Sequence, residues 1–312
     1  MKTQVWLLNM GGPDSLESIQ PFLRNLLADP HIVRMPWWLG FWFQPLFAEL
    51  VSRKRAAAVR ASYASMGGAS PQLEIVREQA RALQATLGQS YEVVPVFRYW
   101  GQGAREAAAT LEPGQPVVLL SLYPHDSDTT VGSSMEDARR FLGDRPVVEI
   151  PSYPDFEPYI AALVDGIGAV EPTETLVFSA HGLPTAYIEA GDPYLDHVQR
   201  TVAAVMRHHP GVPHVLCFQS RVGRKQWLEP SAIDTLRQLT GAVVVVPVSF
   251  TSDHIETIVE IGEELRDLAR DAGVTSFRRV DAPNTHPAFI EALAVLVRQN
   301  VDQSTIPRSE GR

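Results

Sequence analysis

Short runs of apolar, often β-branched residues alternate along this chain with longer segments in which apolar positions recur every three or four residues. The first pattern predicts buried strands, and the second predicts amphipathic helices. Their alternation is typical of an α/β fold with parallel sheets. The predicted strands cover residues 4–9, 92–99, 116–121, 147–150, 175–180, 214–218, 242–249 and 277–280, and the predicted helices cover residues 16–27, 71–87, 103–111, 135–142, 157–170, 194–209, 231–239, 254–272 and 287–299.

A weak internal repeat divides the chain into two similar halves. LLNMGGP at residues 7–13 and VFSAHGLP at residues 177–184 are both apolar strands entering a glycine-containing loop closed by proline, so Met10 and His181 occupy matching positions. A second pair, residues 117–125 and 243–254, repeats a strand followed by a polar loop. Because open α/β sheets bind ligands at the carboxyl ends of their strands, both repeats predict a site facing a cleft between the halves.

The domain boundaries follow from chain length and proline content. A chain of 312 residues is near the limit for one hydrophobic core, which favours two domains. The proline-rich stretch 151–158 separates an N-terminal domain, residues 1–152, from a C-terminal domain, residues 153–286. We expect a last helix at about residues 287–301 to pack back on the first domain, and the polar tail 302–312 to be frayed.

Composition narrows the function classes. The formal net charge is −9 and no basic stripe runs along the chain, which argues against a nucleic-acid partner. Cys217 is the one cysteine, so metal chemistry must use His, Asp, Glu or Met. The chain carries neither a signal peptide nor an apolar run long enough for a membrane span, and we expect a cytoplasmic protein. The tryptophan-rich stretch from Trp37 to Phe47 is core packing by default, or else a surface that rests on something apolar.

His181 follows an apolar strand and precedes Gly182, where the missing side chain lets a ligand approach the backbone. A histidine at the end of such a strand faces whatever fills the cleft. The alternative is a loop histidine that hydrogen-bonds a backbone carbonyl.

Asp253, His254 and Glu256 lie where an apolar strand turns into a helix. The D-x-x-E spacing is also that of a capping box, which needs no function. Glu260 and Glu264 continue the acidic pattern at helical spacing, so the segment predicts either a carboxylate ridge for cations and protons or a solvated helix face.

Residues 63–71, YASMGGASP, predict a loop that feeds a helix. The free N–H groups of a helix start suit an anion such as a carboxylate, and upstream basic residues such as Arg55 add positive charge. The alternative is an ordinary Ser70 N-cap followed by proline.

Taken together, these segments resemble the ferrochelatase family from the first strand to about Leu296. The matching segments, in the family's order, are LLNMGGPDS, YASMGGASP, FRYW, LYPHDSDTTVGSS, SAHGLP, GDPY, CFQSRVGRKQWLEPS, VPVSFTSDHIETIVEI and DAPNTHPAFIEAL. SAHGLP combined with SFTSDHIET at this separation is specific to the family. The resemblance implies two similar Rossmann-like, chelatase-like domains with a porphyrin in the cleft between them.

The resemblance also implies roles for individual residues. His181 and Glu256 are the catalytic residues and transient metal ligands on one side of the macrocycle, and Met10 lies on the other side. Glu260 and Glu264 are implied as a relay for protons or metal. The other implied porphyrin contacts are Arg55, Tyr63, Ser70, Arg98 and Tyr123, and the implied supporting residues are Asp253, His254 and Trp227. Tyr99 is implied as part of the cleft wall, and the segment around His125 varies in the family. The Trp37–Phe47 stretch resembles the family's apolar active-site lip, which can also rest on a membrane surface.

The implied reaction is insertion of ferrous iron into protoporphyrin IX, giving protohaem and two protons. Fe(II) is then a substrate, and we expect neither a permanently bound cofactor nor an iron–sulfur cluster, because the C-terminal cluster cysteines of animal members are absent. A coproporphyrin ferrochelatase is the nearest alternative, but such members often carry Tyr at the position of Met10. A non-catalytic haem or porphyrin carrier is the alternative from another class. The sequence does not indicate an oligomeric state, and a monomer is favoured.

Overall fold

The computed structural model describes residues 1–35, 37–221 and 225–303, with the side chains of residues 37–42 outside that description. It contains two four-stranded sheets, each built from parallel strands flanked by helices. The predicted α/β class is therefore confirmed. The strands of the first sheet are β1 (Thr3–Gly11), β2 (Tyr91–Trp100), β3 (Val117–Ser121) and β4 (Val147–Ile150), and those of the second are β5 (Glu174–His181), β6 (His214–Gln219), β7 (Gly241–Pro247) and β8 (Val274–Arg279).

The two sheets have the same strand order. The first runs β2-β1-β3-β4 and the second runs β6-β5-β7-β8, so the first strand of each half is second in its sheet and has parallel neighbours on both sides. The internal repeat of the sequence thus corresponds to a repeated topology. Met10 near the end of β1 and His181 at the end of β5 lie on equivalent strands.

Helices lie in the connections between parallel strands, as the parallel arrangement requires, and one more helix follows the last strand. They are α1 (Ile19–Leu27), α2 (Trp37–Ser65), α3 (Gln72–Leu87), α4 (Ala104–Ala108), α5 (Ser133–Leu142), α6 (Glu157–Ile167), α7 (Thr185–Glu189), α8 (Tyr194–Met206), α9 (Ala232–Gln238), α10 (Arg266–Asp271) and α11 (Pro287–Gln303). Two further segments, Asp128–Gly132 and Glu256–Leu265, are π-helical. Wide π turns are rare and frequently occur at functional sites.

Helix α2 corrects the sequence analysis. Its 29 residues include Tyr63, which was expected in a loop, and the apolar stretch that was assigned no helix. Pro45 inside the helix and the absence of an amphipathic pattern hid its first half. The alanine-rich stretch 56–64 supports the second half, because alanine has the highest helix propensity.

The chain forms two compact units. Unit 1 comprises Met1–Tyr123, Ser127–Pro151 and Leu293–Arg312, and unit 2 comprises Pro124–Asp126 and Ser152–Ala292. Each unit has a separate cluster of buried apolar side chains packed on its sheet, including Trp6 and Leu119 in the first and Val177 and Val245 in the second. Because strands buried on both faces need apolar residues throughout, these sheets appear in the sequence as continuous apolar runs. Within the described residues, no helix has the length and apolar character needed to cross a membrane.

The loop after α1 is fastened in unit 1 by a histidine between two carboxylates. His31 Nδ1 lies 2.8 Å from Asp128 Oδ1, and His31 Nε2 lies 3.0 Å from Glu136 Oε2. Burial alone would lower the pKa of His31, but the hydrogen bonds and charges of these carboxylates raise it above its usual value. The protonated form is therefore favoured in the folded state.

We expect His31→Gln, which keeps the backbone N–H that donates to Asp29, to destabilise unit 1 by about 0.5–1 kcal/mol at pH 6 and by less at pH 9. A histidine with a raised pKa stabilises fully below its unfolded pKa, and this contribution disappears as the pH rises through the folded pKa. Urea-unfolding midpoints of wild type and variant at both pH values measure the effect, with the exposed His208→Gln as control. Equal losses at pH 6 and pH 9 would contradict the protonated clamp.

Candidate active site

The second sheet brings together two of the predicted site residues. His181 is the last residue of β5, and Glu256 is the first residue of the π-helical segment that follows β7. His181 Nδ1 lies 2.9 Å from Glu256 Oε2, and the two side chains are about 37% and 27% exposed. The pair is thus hydrogen-bonded and still open to a ligand at the carboxyl edge of the sheet.

The ionised state of Glu256 depends on the histidine. Burial alone would raise the pKa of its carboxyl, but the charge of protonated His181 and the hydrogen bond from Nδ1 outweigh burial and lower that pKa to about 2. Glu256 is therefore a carboxylate at neutral pH. Nδ1 of His181 faces Glu256, and the second ring nitrogen lies on the other side of the imidazole.

Ser220 joins Glu256 to a second carboxylate. The Ser220 backbone N–H donates to Glu260 Oε1 at 2.8 Å, and the hydroxyl lies 2.7 Å from Glu260 Oε2 and 3.3 Å from Glu256 Oε2. Burial and the neighbouring charge of Glu256 raise the pKa of Glu260. Glu264, the third member of the predicted ridge, is exposed, and no hydrogen bond connects it to this cluster within the described residues.

The structure does not form the capping box that the D-x-x-E spacing allowed. The Asp253 backbone N–H donates to Asn284 Oδ1, and the Glu256 carboxylate faces His181. The buried Asp253 carboxylate accepts from Thr257 Oγ1, Arg279 Nη1 and Asn284 Nδ2 at 2.6–2.7 Å. Asp253 therefore anchors the start of the π-helical segment to the loop after β8 and leaves Glu256 available to the histidine.

His254 and Trp227 are structural neighbours of the pair. The buried His254 ring packs against Phe250 with centroids 4.6 Å apart, and burial lowers its pKa, so it stays neutral. Trp227 lies against Gly182, where an added Cβ would come within 3.2 Å of the indole and 2.8 Å of the Gln219 carbonyl oxygen. Glycine at 182 is thus required by close packing.

Two of the residues predicted from unit 1 meet at the carboxyl edge of the first sheet. The Tyr123 hydroxyl is hydrogen-bonded to the backbone of Met10 and to the side chain of Ser134, and burial raises its pKa. Both Met10 and Tyr123 are partly exposed. Met10 lies near the end of β1 and Tyr123 follows β3, and these adjacent strands are paired in register.

Arg98 and Tyr99 are engaged within unit 1. Arg98 Nη2 lies 2.9 Å from Asp29 Oδ2, and the Tyr99 hydroxyl donates to the same oxygen at 2.8 Å. Asp29 is almost fully buried, so these donors and Ser133 compensate its charge. Asp29 thus gives Arg98 and Tyr99 a structural partner, and the positive charge of Arg98 also partly offsets the effect of burial on the pKa of Tyr123.

The remaining predicted contacts lie on α2 and in the loop between α2 and α3. Ser70 is buried, and its N–H donates to the Pro13 carbonyl at 2.7 Å, which ties this loop to the one after β1. A Cβ on Gly12 would come within 2.8 Å of Ser70, so the glycine of GGP permits this contact. Tyr63 is buried in the last turn of α2, and Arg55 is half-buried on the same helix. The N-cap of α3 is Pro71, not Ser70.

His125 packs inside unit 2. Its Nε2 lies 2.9 Å from Thr201 Oγ1, and its ring meets Tyr194 edge-on at 6.0 Å. Burial lowers its pKa to about 3. These contacts make it a neutral packing histidine.

The apolar stretch on α2 lies partly outside the described side chains, which begin again at Phe43. Phe43 and Leu46 are 55% and 56% exposed, and Leu50 is 59% exposed. The default expectation of core packing is therefore wrong for these residues, because they face solvent.

Sequence reasoning missed Ser220, Tyr194 and Ser249. Ser220 bridges the two carboxylates, and the other two hydroxyls hold the main chain of His181. All three lie in segments that match the family, but that match gives them no role, and only the backbone of Ser220, with its positive φ of 63°, is unusual. Among the described residues, no group of three or more His, Cys, Asp or Glu side chains is arranged to hold a metal ion.

Comparison with known proteins agrees with this arrangement. The family model described as ferrochelatase matches residues 2–301. A ferrochelatase of Geobacter metallireducens is 42% identical, over 96% of this chain and 98% of the relative, and one of Aquifex aeolicus is 41% identical, over 96% and 100%. SirB from Bacillus subtilis, solved with Fe3+, has a TM-score of 0.53 at 12% identity and 96% coverage of each chain, which shows the shared fold alone. The sequence matches over nearly the whole length place this chain in the ferrochelatase family.

Proposed function

We propose that this chain inserts ferrous iron into protoporphyrin IX to give protohaem, with His181 and Glu256 as the catalytic pair. Membership of the ferrochelatase family makes the chain a metal chelatase of the lyase class that inserts iron into a porphyrin. The choice of protoporphyrin and the residue roles are the proposal. The observation that carries it is the 2.9 Å hydrogen bond between His181 Nδ1 and Glu256 Oε2 at the carboxyl edge of the second sheet.

The pair supplies what metal insertion requires. Two pyrrole N–H groups lose their protons while Fe(II) sheds water, so the reaction needs a base and a weak, transient metal ligand. A neutral imidazole does both near pH 7. The ionised Glu256 then stabilises the imidazolium that forms when His181 accepts a proton. Glu260, joined to Glu256 through Ser220, and the exposed Glu264 are the proposed relay for protons or metal.

The proposed porphyrin contacts differ in their support. Met10 and Tyr123 have the most, because they are partly exposed and adjacent at a sheet edge. Arg98 has the least, because its guanidinium already pairs with Asp29. The proposed set is Met10, Arg55, Tyr63, Ser70, Arg98 and Tyr123, supported by Asp253, His254 and Trp227. Iron and porphyrin are the only small molecules in the proposal, which includes no resident cofactor.

The experiment that tests the substrate is an anaerobic metallation assay. Purified protein is given Fe(II) with protoporphyrin IX or coproporphyrin III, and the Soret band is followed. We expect kcat/KM for protoporphyrin to exceed that for coproporphyrin, in keeping with methionine at position 10. The opposite preference would make the chain a coproporphyrin ferrochelatase. Tight porphyrin binding without turnover of either would indicate a carrier.

The exposed part of α2 supports peripheral contact with a membrane, which a product as apolar as haem favours. Phe43, Leu46 and Leu50 recur at helical spacing, and Arg53 follows with 70% of its side chain exposed. We expect Phe43→Ser/Leu46→Ser to lower co-sedimentation with anionic lipid vesicles several-fold while metallation of dissolved porphyrin persists. Ile233→Ser, an exposed apolar residue on α9, is the matched control. Equal sedimentation of both variants and wild type would exclude this surface.

A further inference from the structure

The main chain of His181 is held by a closed ring of three hydrogen bonds. The His181 N–H donates to Ser249 Oγ at 3.2 Å, and the Tyr194 hydroxyl donates to the His181 carbonyl oxygen at 2.8 Å. The third side joins Tyr194 Oη and Ser249 Oγ at 2.7 Å. Both ends of the histidine residue are therefore fastened by side chains distant in sequence.

The direction of each of the three hydrogen bonds follows from which groups can donate a hydrogen and which can only accept one. A carbonyl oxygen only accepts, so the single hydroxyl hydrogen of Tyr194 goes to His181. The Tyr194 oxygen must then accept from Ser249, whose own oxygen accepts the His181 N–H. Each hydrogen is used once. Tyr194 is 6% exposed and Ser249 is 9% exposed, so water competes little and each bond polarises the next.

The three hydrogen bonds lie where the backbone pairing between β5 and β7 ends. Pairing between β5 and β7 ends at Ser179 and Pro247, followed by a Val248 N–H bond to Ser179. Strand β7 ends at Pro247 and the chain then turns, with the Phe250 N–H donating to the Pro247 carbonyl oxygen, so the β5–β7 ladder stops before His181. On its other side, His181 is still paired with Gln219 of β6. The two hydroxyls supply the missing support at the residue that carries the imidazole.

We propose that Tyr194 and Ser249 are positioning residues for metal insertion. They fix the peptide on both sides of the His181 Cα, which sets the direction of its Cβ and keeps Nδ1 on Glu256 and the other ring nitrogen at the reaction site. This inference rests on the proposed role of His181 as proton acceptor. Displacement of a catalytic group by about 1 Å costs up to about a hundredfold in rate, so a loosened main chain affects turnover before it affects binding.

The test compares Tyr194→Phe and Ser249→Ala with a matched control in the same unit. Tyr159 and Tyr153 are also buried in unit 2, but their hydroxyls have no hydrogen-bond partner within the described residues. We expect Tyr194→Phe and Ser249→Ala each to lower kcat for metallation by about tenfold, with little change in porphyrin affinity, and Tyr159→Phe to match wild type. The double variant Tyr194→Phe/Ser249→Ala should lose little more than the larger single loss, because the two residues act as one unit.

A second measurement does not depend on turnover. In protein with 15N-labelled histidine, the ring nitrogen shifts of His181 should move in Tyr194→Phe and in Ser249→Ala, while those of His214 stay in place. If the wild-type protein metallates no porphyrin, the proposed function fails. The nitrogen shifts would still show whether the three hydrogen bonds position His181. Unchanged kcat and unchanged His181 shifts in the two variants overturn the inference. So does a joint loss of turnover, porphyrin binding and thermal stability, which a merely structural role would produce.

Discussion

Replacing His181 with alanine is expected to lower the rate of iron insertion by about 10²–10⁴-fold, the usual contribution of a positioned general base. The imidazole is the group proposed to take the pyrrole protons, and its Nδ1 is hydrogen-bonded to the Glu256 carboxylate. Porphyrin affinity should change little, because one ring at a sheet edge supplies a small part of a large apolar contact. Initial rates of Soret change and porphyrin fluorescence titration measure the two quantities.

The matched control for this variant is His214→Ala. His214 is exposed and is the first residue of β6. His181 pairs with Gln219, the last residue of β6, so the two histidines lie at opposite ends of the strands of the second sheet. The His214→Ala variant should metallate porphyrin at the wild-type rate. If the His181→Ala variant retains more than about a tenth of wild-type turnover, His181 is not the base.

Strand positions were predictable from the sequence because burial on both faces demands continuous apolar runs. Residues 147–150 match β4 at both ends, and most other predicted strands differ from the observed ones by one or two residues at each end. Strand β8 differs most, because Thr275 and Ser276 near its start are polar and exposed. Helix α2 was missed since its apolar half lacks a polar face to reveal the period.

The residues of the candidate site were likewise predictable only in part. His181 and Glu256 were placed together by family motifs, and the structure brings their side chains into contact. Ser220, Tyr194 and Ser249 escaped prediction because their contacts join residues between 13 and 68 positions apart, with no local pattern at either end. The π-helical turn was also invisible, because a four-residue spacing of glutamates fits an ordinary α-helix equally well.

Glu256→Gln is the second variant expected to have a large effect, a loss of about a hundredfold or more in metallation with porphyrin binding retained. The amide keeps the size of the side chain and still accepts a hydrogen bond from His181 Nδ1. What it removes is the negative charge, and with it the stabilisation of the imidazolium formed during the reaction. The exposed Glu189→Gln at the end of α7, in the same unit, is the control and should lose far less activity.

The same variant has a distinct dependence of stability on pH. The folded-state pKa of Glu256 is lowered to about 2 from an ordinary value of 4.5, so the carboxylate stabilises the fold above pH 4.5, and this contribution disappears as the pH falls towards 2. Glu256→Gln should therefore unfold at a lower urea concentration than wild type at pH 7, and the difference should shrink as the pH approaches 3. Because the Glu256 carboxylate stabilises both the fold and the His181 imidazolium, we expect Glu256→Gln to lose stability and turnover together. Loss of turnover with wild-type stability at pH 7 would mean instead that Glu256 and His181 are not paired until substrate binds.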